Sequence, residues 1–286
     1  MAEPQGNREH KDRLFLKVFE DKEALLSLYN AVNGSDYENP EELEITTLDN
    51  VLYMRMKNDL SFLIDGSLNF YEHQSTFNPN MPLRGCFYMV KVYQEYVERR
   101  QLDIYSSTRL TLPTPRFIVF YNGTDRMKHT PELTLKLSDS FEKQEEEPAL
   151  ECKARVININ YGFNTEIMEK CPKLYEYSFL ISKIREGTAQ GKKLEAAIGA
   201  AIDICIEEGI LTDLLTSYRM EVIGMLLTEY DEERHLKNTY EEGVKKGQKK
   251  GESIGEFRQL YKLIQKNFLT LHDAASANSM TEEQLM

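Results

Sequence analysis

The spacing of apolar residues predicts strands and helices in the first part of the chain and helices alone in the rest. Short apolar runs bounded by Asn, Gly and Pro favour strands, whereas apolar residues three and four positions apart favour helices. The elements predicted for the first part are a helix over 10–32 stopped by Asn33-Gly34, a strand over 45–56, a hairpin over 57–74, a helix from the first-turn Pro82 to about Arg99, and strands over 116–121 and 154–161. The pattern indicates an α/β fold with a mixed sheet flanked by helices.

From Cys171 onward the apolar spacing is helical. Separate helices are predicted over 174–184, 193–208, 220–230 and 257–268. Glycine recurs at every fourth position between the last two of these, from Gly243 to Gly255. On a helix these glycines share one stripe, which favours close packing against a second helix, including the same segment of another copy. A flexible linker is the alternative, because each glycine costs a helix about 1 kcal/mol.

The hairpin over 57–74 carries the candidate chemistry. Asp65-Gly66 is a favoured two-residue turn. Counting outward from this turn pairs Ile64 with Ser67, Asp59 with Glu72, and Lys57 with Gln74. Because strand side chains alternate between faces, the last two pairs project to the same side of the sheet.

Asp59 and Glu72 would then form a pair of opposed carboxylates. Directly opposed side chains lie about 5 Å apart at Cβ, so the two charges repel unless a cation lies between them. Hard oxygen ligands at that separation suit Mg²⁺, with Mn²⁺ as a second option. The plainer interpretation is two exposed carboxylates on a solvated sheet face.

These residues also carry a resemblance. Asp59 followed by Glu72-x-Gln74 resembles the Asp…(Asp/Glu)-x-Lys signature of the PD-(D/E)XK nuclease superfamily. The fuller strings over 71–75 and 78–84, with Phe120-Tyr121-Asn122-Gly123, resemble the Rpn family of recombination-promoting nucleases, also labelled transposases. The resemblance implies a core of helix, three strands, helix and strand. It also implies Mg²⁺-dependent DNA endonuclease activity, linked to recombination or to defence against mobile DNA.

The superfamily lysine is replaced by Gln74, a departure typical of this branch. An amide orients a water or holds a phosphate oxygen but supplies no positive charge. Lys57, opposite Gln74 in the inferred register, is a candidate source of that charge, with an ordinary surface lysine as the alternative. Asp59, Glu72, Gln74 and Lys57 are therefore the predicted catalytic residues, and the first two are the predicted metal ligands.

Arg84 and Tyr88 lie one turn apart on the helix that follows the hairpin. Arg84 is a candidate to contact the scissile phosphate or to pair with an acid. Tyr88 is its candidate companion in substrate binding, or else a core residue. His73 points away from Glu72 in a strand, which favours packing over metal binding.

Composition and charge limit the classes of partner that we expect for this chain. The net charge of −12 argues against non-specific coating of nucleic acid, but charge is unevenly spread. Residues 36–49 hold six acids and no base, whereas residues 234–266 hold nine Lys or Arg against four acids. The latter segment is a candidate DNA-contacting arm, although charge runs are also typical of solvated surface. Without a long apolar run, apolar leader or close cysteine pairs, we expect no membrane association and a cytoplasmic location.

Three regions are predicted: a PD-(D/E)XK nuclease-like core over 1–165, a helical subdomain over 166–240, and a glycine-spaced basic helical tail over 241–286. The expected partners are DNA and further copies of the chain. Two rival functions remain open at this point. One is a binding module on a degenerate nuclease fold, favoured by Gln74 and the acidic charge. The other is an oligomeric scaffold built through the C-terminal helix.

Overall fold

The computed structural model describes residues 14–46, 60–124, 126–266 and 268–277. The chain forms two compact units, residues 1–229 and residues 230–286. The helices are α1 (Leu14–Val18), α2 (Lys22–Asn33), α3 (Met81–Arg99), α4 (Thr165–Lys170), α5 (Pro172–Ala189), α6 (Leu194–Glu207), α7 (Thr212–Ser217), α8 (Arg219–Gln265) and α9 (Leu271–Ala277). The strands are β1 (Glu44–Ile45), β2 (Leu60–Ile64), β3 (Ser67–Gln74), β4 (Thr114–Tyr121), β5 (Glu132–Lys136) and β6 (Lys153–Asn158).

The six strands form one mixed sheet in the order β1-β2-β3-β4-β6-β5. Strands β1, β2 and β3 pair antiparallel, β3, β4 and β6 pair parallel, and β5 pairs antiparallel at the far edge. Helix α3 makes the crossover between the parallel neighbours β3 and β4. The predicted α/β class, with a mixed sheet flanked by helices and a helical C-terminal half, is confirmed.

The β2–β3 hairpin has the register inferred from its turn. Asp65 and Gly66 have φ angles of 43° and 66°, the left-handed conformation that a two-residue hairpin turn of type I′ requires at both positions. Ile64 pairs with Ser67, and the ladder continues to Leu60 opposite Tyr71. Lys57 and Asp59, with most of the strand predicted over 45–56, lie outside the described residues.

Helix α3 packs on one face of the sheet and forms the core there. Its inward side chains, Met81, Tyr88 and Val92, meet apolar side chains of β3, β4 and β6. Helix and sheet are in close contact at Gly85, where an added Cβ would lie 2.3 Å from Cδ1 of Phe117. Such a separation is far inside van der Waals contact, so this approach of helix to sheet requires glycine.

The opposite face of the sheet is covered by α1, α2 and α5. Phe15 of α1 stacks on His73 with ring centroids 4.8 Å apart, and it also contacts Phe120 and Tyr177. Tyr29 of α2 packs edge-on against a phenyl ring of β2. The sheet is therefore buried on both faces, and the polar groups of β3 are enclosed rather than solvated.

Several predicted boundaries were wrong. The helix predicted over 10–32 is two helices, because the side chain of Asp21 accepts a hydrogen bond from the N–H of Ala24 and caps a new helix there. The predicted stop is confirmed, since Gly34 ends α2 in the left-handed conformation. Strand β5 and the short helices α4 and α7 were not predicted. Pro82 lies in the first turn of α3 as expected.

The glycine-spaced segment lies within α8 and is helical throughout. The separate helices predicted over 220–230 and 257–268 are therefore parts of one element as far as Gln265. A Cβ added at Gly243, Gly247, Gly251 or Gly255 would meet nothing within 4 Å. Among the described helices, none is long and apolar enough to cross a membrane.

Candidate active site between β3 and α3

Glu72 and Gln74 lie at the carboxyl end of β3, a central strand with partners on both sides. Two residues apart, they project to the same face, toward α3. Glu72 is only 2% exposed. A carboxylate is rarely buried to this degree without a charged or hydrogen-bonded partner, and α3 supplies one.

The partner on α3 is Arg84. Its terminal Nη2 lies 3.1 Å from Oε2 of Glu72, and its side chain stays 34% exposed. The guanidinium therefore reaches from the buried carboxylate toward the surface. A guanidinium presents five N–H donors in one plane, a geometry that suits carboxylate and phosphate groups.

Tyr88 fixes the other side of Arg84. The Nε and Nη2 groups of Arg84 donate hydrogen bonds of 3.2 Å and 2.8 Å to the Tyr88 hydroxyl. Tyr88 is itself 1% exposed within the core. The predicted pair one helical turn apart is thus brought together with Glu72. Tyr88 acts as a core residue and as a support for the guanidinium.

Gln74 meets the first turn of the same helix. Its amide Nε2 lies 2.7 Å from the sulfur of Met81, and Nη1 of Arg84 lies 3.6 Å from that sulfur. The backbone carbonyl of Gln74 accepts a hydrogen bond of 3.0 Å from the backbone N–H of Asn122. The side chain of Gln74 is half-buried, and its amide oxygen Oε1 is of the type that binds a cation as a neutral ligand or accepts a hydrogen bond from water.

The described residues contain part of the donor set that a divalent cation would use. They include no group of three or more His, Cys, Asp and Glu side chains arranged to hold a metal. Glu72 carries anionic carboxylate oxygens and Gln74 a neutral amide oxygen, the types of ligand that Mg²⁺ prefers. Asp59, the second predicted carboxylate, and Lys57, the predicted cation, lie outside the described residues.

His73 lies on the other face of β3, as expected, and is 2% exposed. Its Nε2 lies 2.9 Å from the hydroxyl of Tyr177 on α5. The Tyr177 hydroxyl also accepts a hydrogen bond of 3.0 Å from the Asn122 amide. This histidine is a packing and hydrogen-bonding residue, as the sequence predicted.

A second group of polar residues was missed by sequence analysis. Asn122, Asn160 and Arg185 meet where the parallel strands β4 and β6 end: Arg185 donates to the carbonyl of Asn122 and to the amide oxygen of Asn160. The available signal was an asparagine just past the end of each of two buried strands, at the sheet edge where α/β folds bind ligands.

No protein-family model, curated protein or solved structure matches this chain.

Proposed function

We propose that this chain is a metal-dependent DNA endonuclease of the PD-(D/E)XK superfamily, related to the Rpn family and acting in the cytoplasm. The observation that carries the proposal is the buried Glu72 carboxylate on a central strand, paired with Arg84 from the helix that immediately follows. A carboxylate this deeply buried is costly even when it is paired, and charged pairs that line the gap between a strand end and a helix are candidates for functional sites.

The element order supports the same proposal. A helix (α2), three antiparallel strands (β1–β3), a crossover helix (α3) and a parallel strand (β4) follow one another, which is the order that the superfamily resemblance implies. Glu72 and Gln74 lie at the carboxyl end of β3, the strand that precedes the crossover helix. Ligands of α/β sheets are generally bound at that end.

In the proposed reaction, Asp59 and Glu72 would hold Mg²⁺ or Mn²⁺, and the bound metal would supply an activated water and neutralise charge on the phosphate. Gln74 orients the attacking water through its amide oxygen. Arg84, whose side chain is 34% exposed beside Glu72, would donate to a non-bridging phosphate oxygen. Lys57 would contribute the positive charge that Gln74 lacks.

Plasmid nicking tests this proposal. Wild-type protein with Mg²⁺ or Mn²⁺ is expected to convert supercoiled DNA to open circles, and Asp59→Ala and Glu72→Gln to lose this activity. Glu132→Gln is the matched control, because Glu132 also pairs with an arginine, 2.6 Å from Arg155, but at the far edge of the sheet. Equal nicking by Glu72→Gln and Glu132→Gln would rule out the assignment of Glu72.

A second function is favoured by the same ion pair. Because Arg84 already neutralises Glu72, the pair resembles a structural substitute for a metal, as in a degenerate nuclease fold that binds DNA without cutting it. That function predicts gel-shift affinity for DNA that is unaffected by EDTA, and no nicking with either metal. Nicking that EDTA abolishes, and that Glu72→Gln lacks, would exclude it.

A further inference from the structure

A pocket of about 410 Å³ opens at the carboxyl edge of the sheet, on the α5 side. We call it the carboxyl-edge pocket; its lining residues used below are Asn122, Asn160, Tyr161, Ser182 and Arg185. Its volume falls in the range of small-molecule sites. It is formed by α5 and by the segments that follow β4 and β6, on the opposite side of the sheet from Arg84.

Arg185 carries an uncompensated charge in this pocket. Its guanidinium donates to the carbonyl of Asn122 and to the amide oxygen of Asn160, both neutral acceptors. In the part of the chain that the structure describes, no carboxylate forms an ion pair with it. The neighbouring Glu186 instead binds Lys183 at 2.9 Å. Two of the five guanidinium N–H groups are used, so three remain for an anion.

Asn122 adds an unfilled acceptor. The residue is 4% exposed, and its Oδ1 accepts no hydrogen bond from the described residues. Its Nδ2 is fixed by the Tyr177 hydroxyl and its backbone carbonyl by Arg185. A buried acceptor without a donor is uncommon in folded proteins, and one beside a pocket indicates that an occupant supplies the donor.

The aromatic side of the pocket is exposed. Tyr161 lines it and is 48% exposed. Its ring lies 5.8 Å from that of Tyr175 and 5.6 Å from that of Phe179, so the three form a cluster at the surface. Aromatic rings with an open face are the usual support for nucleobases, and a nearby cation favours the phosphate.

We propose that the carboxyl-edge pocket binds one nucleotide unit, with the base against Tyr161, a base N–H group donating to Asn122, and the phosphate on Arg185. The shared chemistry is an aromatic base carrying a phosphate, either as a free mononucleotide or as the 5′-terminal nucleotide of a single strand. This site is distinct from the β3–α3 site, and its occupancy does not depend on cleavage.

The pocket also touches the strand that carries the proposed catalytic residues. The backbone N–H of Asn122 donates to the carbonyl of Gln74, and its side chain connects through Tyr177 to His73. An occupant therefore contacts a residue that is joined to β3 directly at Gln74 and through Tyr177 at His73. Backbone and side-chain bonds of this kind link the pocket to the carboxyl end of β3, where Glu72 and Gln74 also lie.

Calorimetric titration of the full chain with dTMP tests the site. We expect binding to wild type and a loss of about tenfold or more in affinity in Arg185→Met, because a charge-assisted contact is removed. Tyr161→Ala should lose a similar factor through base stacking. The matched control is Arg116→Met, an exposed arginine on β4 away from Asn122, which should bind as wild type does.

One further variant and two further ligands complete the test. If Arg185→Met lowers the melting temperature, Ser182→Leu fills the pocket wall without removing the Arg185 contacts and should block binding. Thymidine, lacking phosphate, and L-tyrosine, an aromatic molecule with the wrong anion, should bind far more weakly than dTMP. Preference for L-tyrosine, or dTMP affinity unchanged by both Arg185→Met and Ser182→Leu, would overturn the proposal.

Titration with a 5′-phosphorylated oligo(dT) distinguishes a strand end from a free nucleotide as the occupant. If the pocket takes a strand end, the phosphorylated oligonucleotide should bind more tightly than dTMP, and removal of its 5′-phosphate should weaken it. If the pocket takes a free nucleotide, dTMP should bind at least as tightly as the oligonucleotide. Failure of DNA nicking would count against the proposed endonuclease but would leave these binding measurements unaffected.

Discussion

Nη2 of Arg84 lies 3.1 Å from Oε2 of Glu72, and it joins a carboxylate that is 2% exposed to a guanidinium side chain that is 34% exposed. The contact spans the interface between β3 and α3. Because one partner is buried and the other reaches solvent, removing the arginine should cost more folding stability than neutralising the glutamate. Removing the cation leaves a buried charge, whereas neutralising the carboxylate leaves a cation that water is able to solvate.

Arg84→Met is therefore expected to lower the free energy of unfolding by about 3 kcal/mol or more, and Glu72→Gln by less. The double variant should be more stable than Arg84→Met alone. Urea unfolding at neutral pH measures all three. Arg155→Met, which breaks the more exposed pair with Glu132, is the control and should cost about 1 kcal/mol or less. A double variant as unstable as Arg84→Met would contradict the pairing.

Divalent metal should stabilise the folded chain if Asp59 and Glu72 hold it. Mg²⁺ or Mn²⁺ is expected to raise the melting temperature of wild type by mass action and to leave Asp59→Asn and Glu72→Gln unmoved. Differential scanning fluorimetry across a metal titration measures the shift. Glu132→Gln should respond as wild type does, and a shift of equal size in Glu72→Gln would place the metal elsewhere.

The basic C-terminal segment should contribute salt-dependent affinity for DNA. Deleting residues 241–286 is expected to weaken DNA binding and flatten its dependence on salt, because phosphate-contacting lysines release counterions. Fluorescence anisotropy at several KCl concentrations gives the slope. Deletion of residues 278–286, which contain no lysine or arginine, is the matched control. An unchanged slope after the larger deletion would favour a spacer or an assembly element.

The glycine stripe of α8, from Gly243 to Gly255, should tolerate alanine. Because a Cβ at these positions would meet nothing within 4 Å in one chain, alanine should fit and should stabilise the helix by about 1 kcal/mol per residue. We expect the four-alanine variant to gain helicity by circular dichroism. If the stripe packs against a second copy, light scattering should show weaker self-association. Full association of the four-alanine variant would remove the packing explanation for the glycines.

Buried cysteines should make the fold sensitive to alkali. Burial raises the pKa of the Cys205 thiol to about 12 and that of Cys152 to about 11. An unfolded thiol titrates near pH 8.5, so the unfolded state loses its proton first. Stability from these thiols is complete below that value and falls as the pH rises toward 12.

Urea midpoints measured from pH 8 to pH 11 test this sign. Cys205→Ala should reduce the decline of stability with pH, whatever its effect at pH 8. Cys86→Ala, at a half-buried thiol, is the control and should change the slope less. Identical slopes for wild type and Cys205→Ala would show that the Cys205 thiol does not contribute to the alkaline loss.

Local features of the fold were readable from the sequence. Asp65-Gly66 determines a turn through its backbone preferences, and Pro82 marks a helix start because its fixed φ suits the first turn. The neighbours Arg84 and Tyr88 were identified together because helix geometry alone brings residues four apart into contact. In each case the interaction is decided within a few residues of chain.

Features that depend on distant contacts were not readable. Strand β5 presents only Leu133 and Leu135 to the core, which is too short a pattern to separate from a loop. The carboxyl-edge pocket depends on Tyr177 and Arg185 meeting residues 55 and 63 positions away in the chain. The Glu72–Arg84 contact was foreseen only as one of two possible roles for the arginine.

The ring of Phe117 lies so close to the backbone of Gly85 that a Cβ at this position would overlap it. Any larger residue at position 85 would push the helix away from the sheet, so the distance from its neighbour Arg84 to the strand depends on a residue with no side chain. Selection on the site would therefore act through positions 85 and 117 as well as through the charged residues. We expect these two positions to change together, since a bulkier helix residue is tolerated only above a smaller strand residue.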